Sequence, residues 1–200
     1  DLVGVSDTFV KRASEAKDDF NEKLSIYIGT DLNYFDKQVN NLNINKNKEF
    51  WLTYIGTLSH SYDIATVIKA ANIVKEKGYD NIRFKVIGTG PFEEKFKSLA
   101  KKTNSPTDFL GYLEYEKMIP YLFKSDVAMN ALTRDSLGSI TNKIGDYLSA
   151  GLPILNSSLN QEFRQLMKKY KLGFNYQPSN YEKLSSLIIK MYNEDKKRIK

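Results

Sequence analysis

The sequence predicts an α/β fold, a Rossmann-like parallel sheet with helices on both faces. Strand-like apolar runs alternate with amphipathic helical stretches along the whole chain, which is the pattern of βαβ units. The 200 residues, 41% of them hydrophobic, suffice for a globular domain with its own core. Because ligands of parallel sheets bind beyond the carboxyl ends of the strands, each strand-to-helix turn is a candidate contact.

Apolar runs and helical periodicity define the predicted elements. The predicted strands are Leu2–Val5, Ser25–Gly29, Trp51–Gly56, Arg83–Gly88, Asp108–Gly111, Asp126–Leu132, Pro153–Asn156 and Gly173–Tyr176. The predicted helices are Asp7–Ala16, Asp63–Lys77, Pro91–Lys102, Glu116–Lys124, Ile140–Ala150, Gln161–Lys169 and Tyr181–Asn193. The crossovers between the strands are expected to be right-handed.

The chain divides into three predicted segments. Residues 1–36 form a strand–helix–strand unit, too small for a core, which is interpreted as the end of a mostly absent N-terminal domain. Residues 37–48 are a linker, and residues 49–200 are the main domain. The sequence after the second strand, TDLNYFDKQVNNLNINKNKE, is polar and has no helical period, so an irregular hinge is expected there.

The composition narrows the classes of function. The absence of cysteine and the single histidine exclude disulfides, thiolate metal sites and clustered-histidine metal sites. No apolar run approaches the ~20 residues that cross a bilayer, and a cytoplasmic protein is expected. The net charge of +6 fits a solvated lysine-rich surface or, alternatively, attraction to anionic lipid or to an anionic substrate. Nucleic acid is not an expected partner, because the basic residues form no known binding module.

The segment SLGSITNKIGDYLSAGLPIL, residues 136–155, predicts an anion site beside a carboxylate. Gly138 and Ser139 are expected to open a helix whose free N–H groups favour a phosphate. Lys143 lies one turn in and adds a positive charge, and Asp146, a further turn along, suits sugar hydroxyls. Alternatively, Lys143 is a solvated lysine and Asp146 a surface carboxylate paired with it. The first interpretation makes the segment a cradle for a nucleotide diphosphate.

Five motifs in order carry a family resemblance. They are the opening VGVSDTFVKR with IYIGTDLNYFD, then YIGTLS, FKVIGTGP, FLGYLEYEKMIPYLFKSDVAMNAL and NKIGDYLSAGLPIL. Together they resemble the C-terminal, donor-binding half of a retaining GT-B glycosyltransferase. The resemblance is in particular to family-four enzymes that build bacterial capsules, exopolysaccharides and O-antigens. It covers nearly all 200 residues and implies that residues 49–200 bind a nucleotide-sugar.

The resemblance implies roles for the strand-to-helix turns. Gly56 and Thr57 would approach the donor diphosphate from the first turn of the main domain. Gly88 and Gly90 would keep a neighbouring turn open beside the nucleotide. An ordinary tight turn is the alternative for GTGP, residues 88–91, because no third glycine completes a dinucleotide fingerprint.

Further matching positions complete the implied donor site. Tyr112 and Leu113 would contact the base, with Met118 behind them. Asp146 matches the glutamate that binds the ribose hydroxyls in the family. The residues implied to present backbone amides to the phosphates or the transferred sugar are Gly138, Ser139, Ile140 and Thr141.

The sequence departs from the family pattern at three places. Thr57 stands where the family has an arginine, Ser61–Tyr62 where it has a lysine, and Gly138 where the acidic pair has its first glutamate. Lys143, with Arg134 as a second candidate, is expected to replace the missing cations. Lys143 is therefore the predicted catalytic residue.

The implied function is transfer of a sugar, with retention, from a nucleotide diphosphate, first of all UDP. The acceptor would be a growing bacterial surface polysaccharide or a lipid-linked saccharide. No metal or cofactor is expected, because amides and Lys143 would offset the charge of the diphosphate. The chain alone is expected to bind donor weakly and to turn over nothing, since a missing N-terminal domain would carry the acceptor site. The basic tail, residues 196–200, is a candidate for peripheral contact with the inner face of the plasma membrane.

Two alternatives remain. One is a nucleotide-sugar epimerase of the same architecture, which needs acid/base carboxylates or histidines near the sugar. The other is a non-catalytic nucleotide-binding module such as a phospho-acceptor receiver, whose acidic cluster is missing from YIGTLS. His60 is interpreted as a loop residue or, alternatively, a donor contact, and Asp63 as a helix cap rather than a catalytic base.

Overall fold

Two parallel sheets make up the strands of the structure, a computed structural model that describes residues 1–17, 19–39, 44–136 and 140–198. A two-stranded sheet precedes a six-stranded one, and all neighbouring strands are parallel. The strands are β1 (Leu2–Gly4), β2 (Lys23–Ser25), β3 (Phe50–Ile55), β4 (Ile82–Ile87), β5 (Thr107–Gly111), β6 (Val127–Asn130), β7 (Ile154–Asn156) and β8 (Gly173–Asn175). The eight predicted strands are all present.

Helices connect the strands and cover both faces of the larger sheet. They are α1 (Asp7–Ala16), α2 (Leu32–Gln38), α3 (Ile64–Glu76), α4 (Glu93–Lys102), α5 (Tyr115–Lys124), α6 (Lys143–Ser149), α7 (Gln161–Lys169) and α8 (Tyr181–Arg198). One hydrophobic core lies between the sheet and α3, α4 and α8. A second core lies between the sheet and α2, α5, α6 and α7. This layering is the predicted α/β fold.

The strand order of the larger sheet fixes where a ligand binds. The order is β5-β4-β3-β6-β7-β8, so the chain moves outward in one direction from β3 and then restarts beside β3 with β6. In such sheets the connections after the two central strands leave on opposite faces, which opens a crevice beyond their carboxyl ends. The turn after β3 begins with Gly56, and the loop after β6 leads into α6.

Helix α2 corrects the prediction of an irregular hinge after residue 29. Asp31 caps the helix by accepting a hydrogen bond from the Tyr34 amide at 3.0 Å. Phe35 is fully buried in the second core. A single apolar anchor and a cap therefore order a polar stretch that lacks helical periodicity. The proposed boundaries at residues 36 and 48 stay a prediction.

Several element bounds differ from the predicted ones, those of β2 and α6 among them. The second strand runs from Lys23 to Ser25 rather than from Ser25 to Gly29, and its three residues pair with the three residues of β1. Helix α6 begins at Lys143 rather than Ile140. Its first turn is tight, since the amides of Ile144 and Gly145 bond to carbonyls only three residues back. The stop at Gly151, where φ is +69°, is as predicted.

The N-terminal unit is attached to the larger domain through Glu162 of α7. Its carboxylate accepts hydrogen bonds from the amides of Asp7 and Thr8, both at 2.9 Å, and from the Tyr27 hydroxyl at 2.7 Å. These donors lower the pKa of Glu162 against the opposing effect of burial. The N-terminus of α1 thus docks on a carboxylate.

Candidate functional site

The turns after β3 and β4 pack directly on each other at the crevice. A Cβ at Gly88 would lie 2.0 Å from the Gly56 carbonyl oxygen, and one at Gly90 would lie 2.4 Å from the Leu58 carbonyl oxygen. Both glycines are therefore required by backbone packing. The close approach also holds Gly56 at the mouth of the crevice. Thr57, the other predicted diphosphate contact in this turn, is exposed.

Lys143 points at this turn from the start of α6. Its Nζ lies 4.2 Å from the ring centroid of Tyr54 and 4.1 Å from that of Tyr62. A Cβ at Gly56 would be 3.0 Å from the same atom. The lysine is 9% exposed, and among the described residues its ammonium has no hydrogen-bond partner. The alternatives of a solvated lysine and of an ion pair with Asp146 are therefore wrong.

Burial lowers the pKa of Lys143 to about 7, from the 10.5 of a free lysine. The faces of two aromatic rings attract an ammonium by only ~0.5–2 kcal/mol each. Removing an ion from water costs several kcal/mol, which is the larger effect. The buried amine thus carries N–H donors that no described residue satisfies and that an anion could satisfy.

Asp146 lies one turn further along α6. Its Oδ1 accepts hydrogen bonds from the Tyr115 hydroxyl at 2.6 Å and from the Thr30 hydroxyl at 3.2 Å. Burial raises the pKa of Asp146, and the two hydrogen bonds act against this rise. A Cβ at Gly145 would lie 2.6 Å from the Thr30 Oγ1, so the glycine admits the chain that leads into α2. The carboxylate is half-buried and held by protein donors on one oxygen.

The predicted base-binding residues lie at the end of β5 and in α5. Tyr112 is 66% exposed, and its hydroxyl donates to Glu114 at 3.2 Å. Leu113 packs partly on the second core, and Met118 is buried in it. Tyr115 follows in α5 and stacks on Tyr34 of α2 at 6.1 Å. The exposed aromatic ring of Tyr112, just after β5, suits contact with a flat, partly apolar ligand.

The predicted amide contacts are only partly described. Gly138 and Ser139 lie outside the described residues. Ile140 packs against the second core, and the Thr141 hydroxyl donates to Asn130 at 3.5 Å. Both precede α6, so the predicted helix N-terminus at 138–141 is displaced to Lys143.

A ladder of side-chain amides links the carboxyl ends of β6, β7 and β8. Asn130 donates to Asn156 at 2.8 Å, and Asn156 donates to Asn175 at 2.7 Å. The three residues occupy paired positions at the ends of β6, β7 and β8. The ladder ties together the carboxyl edge from which the loop toward α6 departs.

The other residues singled out in the sequence have no described contact with Lys143 or Asp146. Arg134 is exposed and borders a surface cleft of about 450 Å³ with the loop before α8, apart from Lys143. His60 is exposed in the turn after β3. Asp63 caps α3 and also accepts from the Ser179 amide at 2.7 Å, which confirms the cap. The side chains of the basic tail lie outside the described residues.

Sequence reasoning missed the side chains that surround Lys143 and Asp146. Tyr54 precedes the Gly56 turn by two residues, and an aromatic residue beside such a turn was the available signal. Tyr62 drew attention in the sequence only because the related family has a lysine at about this position. Tyr115 and Thr30 carry no local signal, because they reach Asp146 from 31 and 116 residues away.

The described part of the chain contains neither a membrane-spanning helix nor a cluster of metal-binding side chains. No described helix is both long enough and apolar enough to span a membrane. No described group of three or more His, Cys, Asp or Glu side chains is arranged to hold a metal ion. That the activity needs no metal stays a prediction.

Comparisons with known proteins give a family and a fold. The family model Glycosyl transferases group 1 matches residues 35–200. WaaG, a glycosyltransferase involved in lipopolysaccharide biosynthesis, superimposes with a TM-score of 0.72 at 17% identity, over 95% of this chain and 53% of its own. The chain therefore spans about half the length of WaaG. No curated protein matches significantly.

Two further solved structures share the fold. The pneumococcal O-GlcNAc transferase GtfA, in complex with UDP and GlcNAc, has a TM-score of 0.71 at 13% identity, covering 96% of this chain and 38% of GtfA. The catalytic domain of cholesterol-alpha-glucosyltransferase from Helicobacter pylori has a TM-score of 0.60 at 22% identity, covering 76% of this chain and 91% of that domain. These likenesses establish the GT-B type of fold.

Proposed function

The chain belongs to the family Glycosyl transferases group 1, and we propose that it holds the nucleotide-diphosphate sugar donor of a retaining glycosyltransferase. The sugar would pass to a growing bacterial surface polysaccharide, such as a capsule or exopolysaccharide, or to a lipid-linked acceptor. UDP is the first nucleotide to test, because GtfA was solved with it. The acceptor site would lie in a preceding domain.

One observation carries the proposal. The Lys143 ammonium is buried beside Gly56, without a hydrogen-bond partner among the described residues, at the crevice where parallel sheets bind ligands. A buried cation is costly unless an anion or an acceptor satisfies it. The diphosphate of a sugar donor supplies both the negative charge and the acceptor oxygens.

The proposed chemistry follows from where charge develops. As the bond from the anomeric carbon to the diphosphate breaks, negative charge grows on the departing phosphate. A cation fixed in a site of low dielectric stabilises that charge more than the ground state and so accelerates the step. Lys143 is the described residue proposed for this role, with amides of residues 138–141 as further predicted contacts.

Asp146 is proposed to bind the ribose. Tyr115 and Thr30 occupy its Oδ1, so a ribose hydroxyl would donate to Oδ2. A hydrogen bond to a charged group is worth ~1.5–3 kcal/mol, enough to matter for donor affinity. Tyr112 is proposed to contact the base beside it.

Location and membrane contact extend the proposal. A cytoplasmic enzyme that rests peripherally on the inner face of the plasma membrane would meet a lipid-linked acceptor there. The net charge of +6 supports attraction to anionic lipid. Salt-sensitive binding to anionic vesicles, and none to neutral vesicles, is the expected result.

Calorimetric titration with UDP and with GDP tests the donor site. We expect Asp146→Asn and Lys143→Met each to weaken binding by about tenfold to a hundredfold, from the loss of one charged contact. The matched controls are Asp80→Asn and Lys77→Met, exposed residues near the opposite edge of the sheet. Unchanged affinity in both site variants, or equal losses in the controls, would contradict the proposal.

Activity assays separate the enzyme classes. With donor alone, an epimerase changes the sugar, whereas a transferase needs an acceptor. We expect the chain by itself to show no transfer, and measurable transfer would overturn that expectation. A non-catalytic module would bind nucleotide and remain inactive even in the full-length protein.

A further inference from the structure

We propose that Tyr54 and Tyr62 are positioning residues that keep Lys143 partly uncharged in the free protein, so that a nucleotide diphosphate binds with a proton uptake by Lys143 that increases with pH. This inference rests on the proposed function, because it concerns the same ligand. It adds a proton linkage and two residues that neither the family match nor the fold assigns.

Hydrogen bonds hold the Tyr54 side chain and the Tyr62 backbone in place. The Tyr54 hydroxyl donates to the Thr57 carbonyl at 2.8 Å. Tyr62 pairs with Leu132 in an isolated antiparallel bridge. The two rings meet edge to face at 5.7 Å. The lysine side chain therefore enters a slot formed by two aromatic rings that contact each other.

The slot offers Lys143 no acceptor for its protons. An ammonium carries three donors, and among the described residues none of them finds a partner. The missing Cβ of Gly56 leaves the Nζ next to the backbone of the turn after β3. The slot excludes water from the amine, and it lies beside the turn after β3, where the diphosphate is proposed to bind.

The titratable groups named below either hydrogen-bond to residues other than Lys143 or are exposed. Asp63 accepts from the amides of Thr66 and Ser179, and Asp146 faces Tyr115. On α6 the Tyr147 hydroxyl donates to a backbone carbonyl and accepts from a backbone amide. His60, in the turn after β3, is exposed. No described carboxylate bonds to the Lys143 ammonium.

The charge state of Lys143 in the free protein sets how many protons it takes up when a diphosphate binds. With the pKa of Lys143 lowered to about 7, about 90% of the amine is charged at pH 6, about half at pH 7 and about 10% at pH 8. A diphosphate favours the charged form, so the bound amine takes the missing proton from the buffer. Uptake is therefore about 0.1 proton at pH 6, 0.5 at pH 7 and 0.9 at pH 8. Affinity falls about fivefold from pH 7 to pH 8 as the charged fraction falls.

Calorimetry in paired buffers measures this uptake directly. UDP and GDP are titrated at pH 6, 7 and 8, each in two buffers of different ionisation enthalpy, so that the difference in heat counts protons. Lys143→Arg keeps a cation that does not titrate in this range, and it also reports protons taken up by the nucleotide. We expect the wild-type protein to exceed Lys143→Arg by about 0.9 proton at pH 8 and by about 0.1 at pH 6.

A second variant keeps the test independent of the arginine substitution. Tyr62→Ser lets water reach the amine, so we expect the pH of half-maximal uptake to rise by at least about one unit. Equal uptake in wild-type protein and Lys143→Arg at pH 8, with nucleotide bound, overturns the linkage and leaves the donor site intact. An unchanged midpoint in Tyr62→Ser overturns the role of the ring. No binding of either nucleotide at any pH overturns both the linkage and the proposed function.

Discussion

Replacing Gly88 with alanine tests how tightly the two turns of the crevice fit. Gly88 has a φ of +129°, a region that residues with a side chain rarely adopt. The new Cβ would lie 2.0 Å from the Gly56 carbonyl oxygen, a backbone atom that yields only if the turn moves. The Gly56 amide donates to the Ile87 carbonyl at 3.0 Å, and that bond is strained by the same movement.

The expected cost of Gly88→Ala adds two terms. Holding a side-chain residue in this backbone region costs ~1–3 kcal/mol. Displacing the turn and losing one buried hydrogen bond costs ~0.5–1.5 kcal/mol more. Together they amount to about 3 kcal/mol, a large part of the ~5–15 kcal/mol that stabilises a typical domain.

Urea denaturation measures this cost against a matched control. Gly78 has a φ of +85°, and a Cβ at this position would meet no atom within 4 Å, so Gly78→Ala carries only the conformational term of ~1 kcal/mol. With a slope of ~2 kcal/mol per molar urea, the midpoints should fall by about 1.5 M for Gly88→Ala and about 0.5 M for the control. Equal shifts would refute the claim that the turns are in contact.

Three further predictions concern other parts of the fold. Phe35→Ala should lower the free energy of unfolding by ~3–5 kcal/mol, and Leu32→Ala, 58% exposed on the same helix, by less than ~0.5 kcal/mol; equal effects would show that α2 is not part of the core. Asn156→Ala should cost ~2–4 kcal/mol by breaking the amide ladder, whereas the exposed Asn33→Ala should cost almost nothing. Hydrogen bonding lowers the pKa of Glu162 in the folded protein. The contribution of Glu162 to the free energy of unfolding is therefore complete above the pKa of the unfolded chain and is lost as the pH falls through the pKa of the folded protein. Protection of the amides at the start of α1, measured relative to the intrinsic exchange rate at each pH, should therefore fall in acid, and Glu162→Gln should show this reduced protection already at about pH 7.

The fold was predictable because its strands are short apolar runs bounded by glycine and polar residues. Runs such as WLTYIG and FKVIG need no tertiary information to be recognised. Helix α2 was not predictable in this way, since its order depends on burial of Phe35 and on the stacking of Tyr34 against α5. A helix of seven residues is marginal on its own, and packing decides whether it forms.

Only the part of the site that lies on one helix was predictable from residue spacing. Lys143 and Asp146 fall on one helix because they are three residues apart, and the structure keeps them there. Their surroundings come from distant parts of the chain, so no local pattern indicates that the lysine is buried between Tyr54 and Tyr62. The chemical character of a side chain depends on those neighbours, and burial changes an ordinary lysine into one that titrates near neutrality.

The contact between Thr30 and α6 makes two distant stretches of sequence interdependent. Any side chain introduced at Gly145 would push Thr30 aside and take a proton donor away from Asp146. Conversely, a shift of the backbone around residue 30 changes the hydrogen bond from Thr30 to the Asp146 carboxylate without any substitution in α6. Variants that test the proposed role of Asp146 should therefore change positions 30 and 145 together.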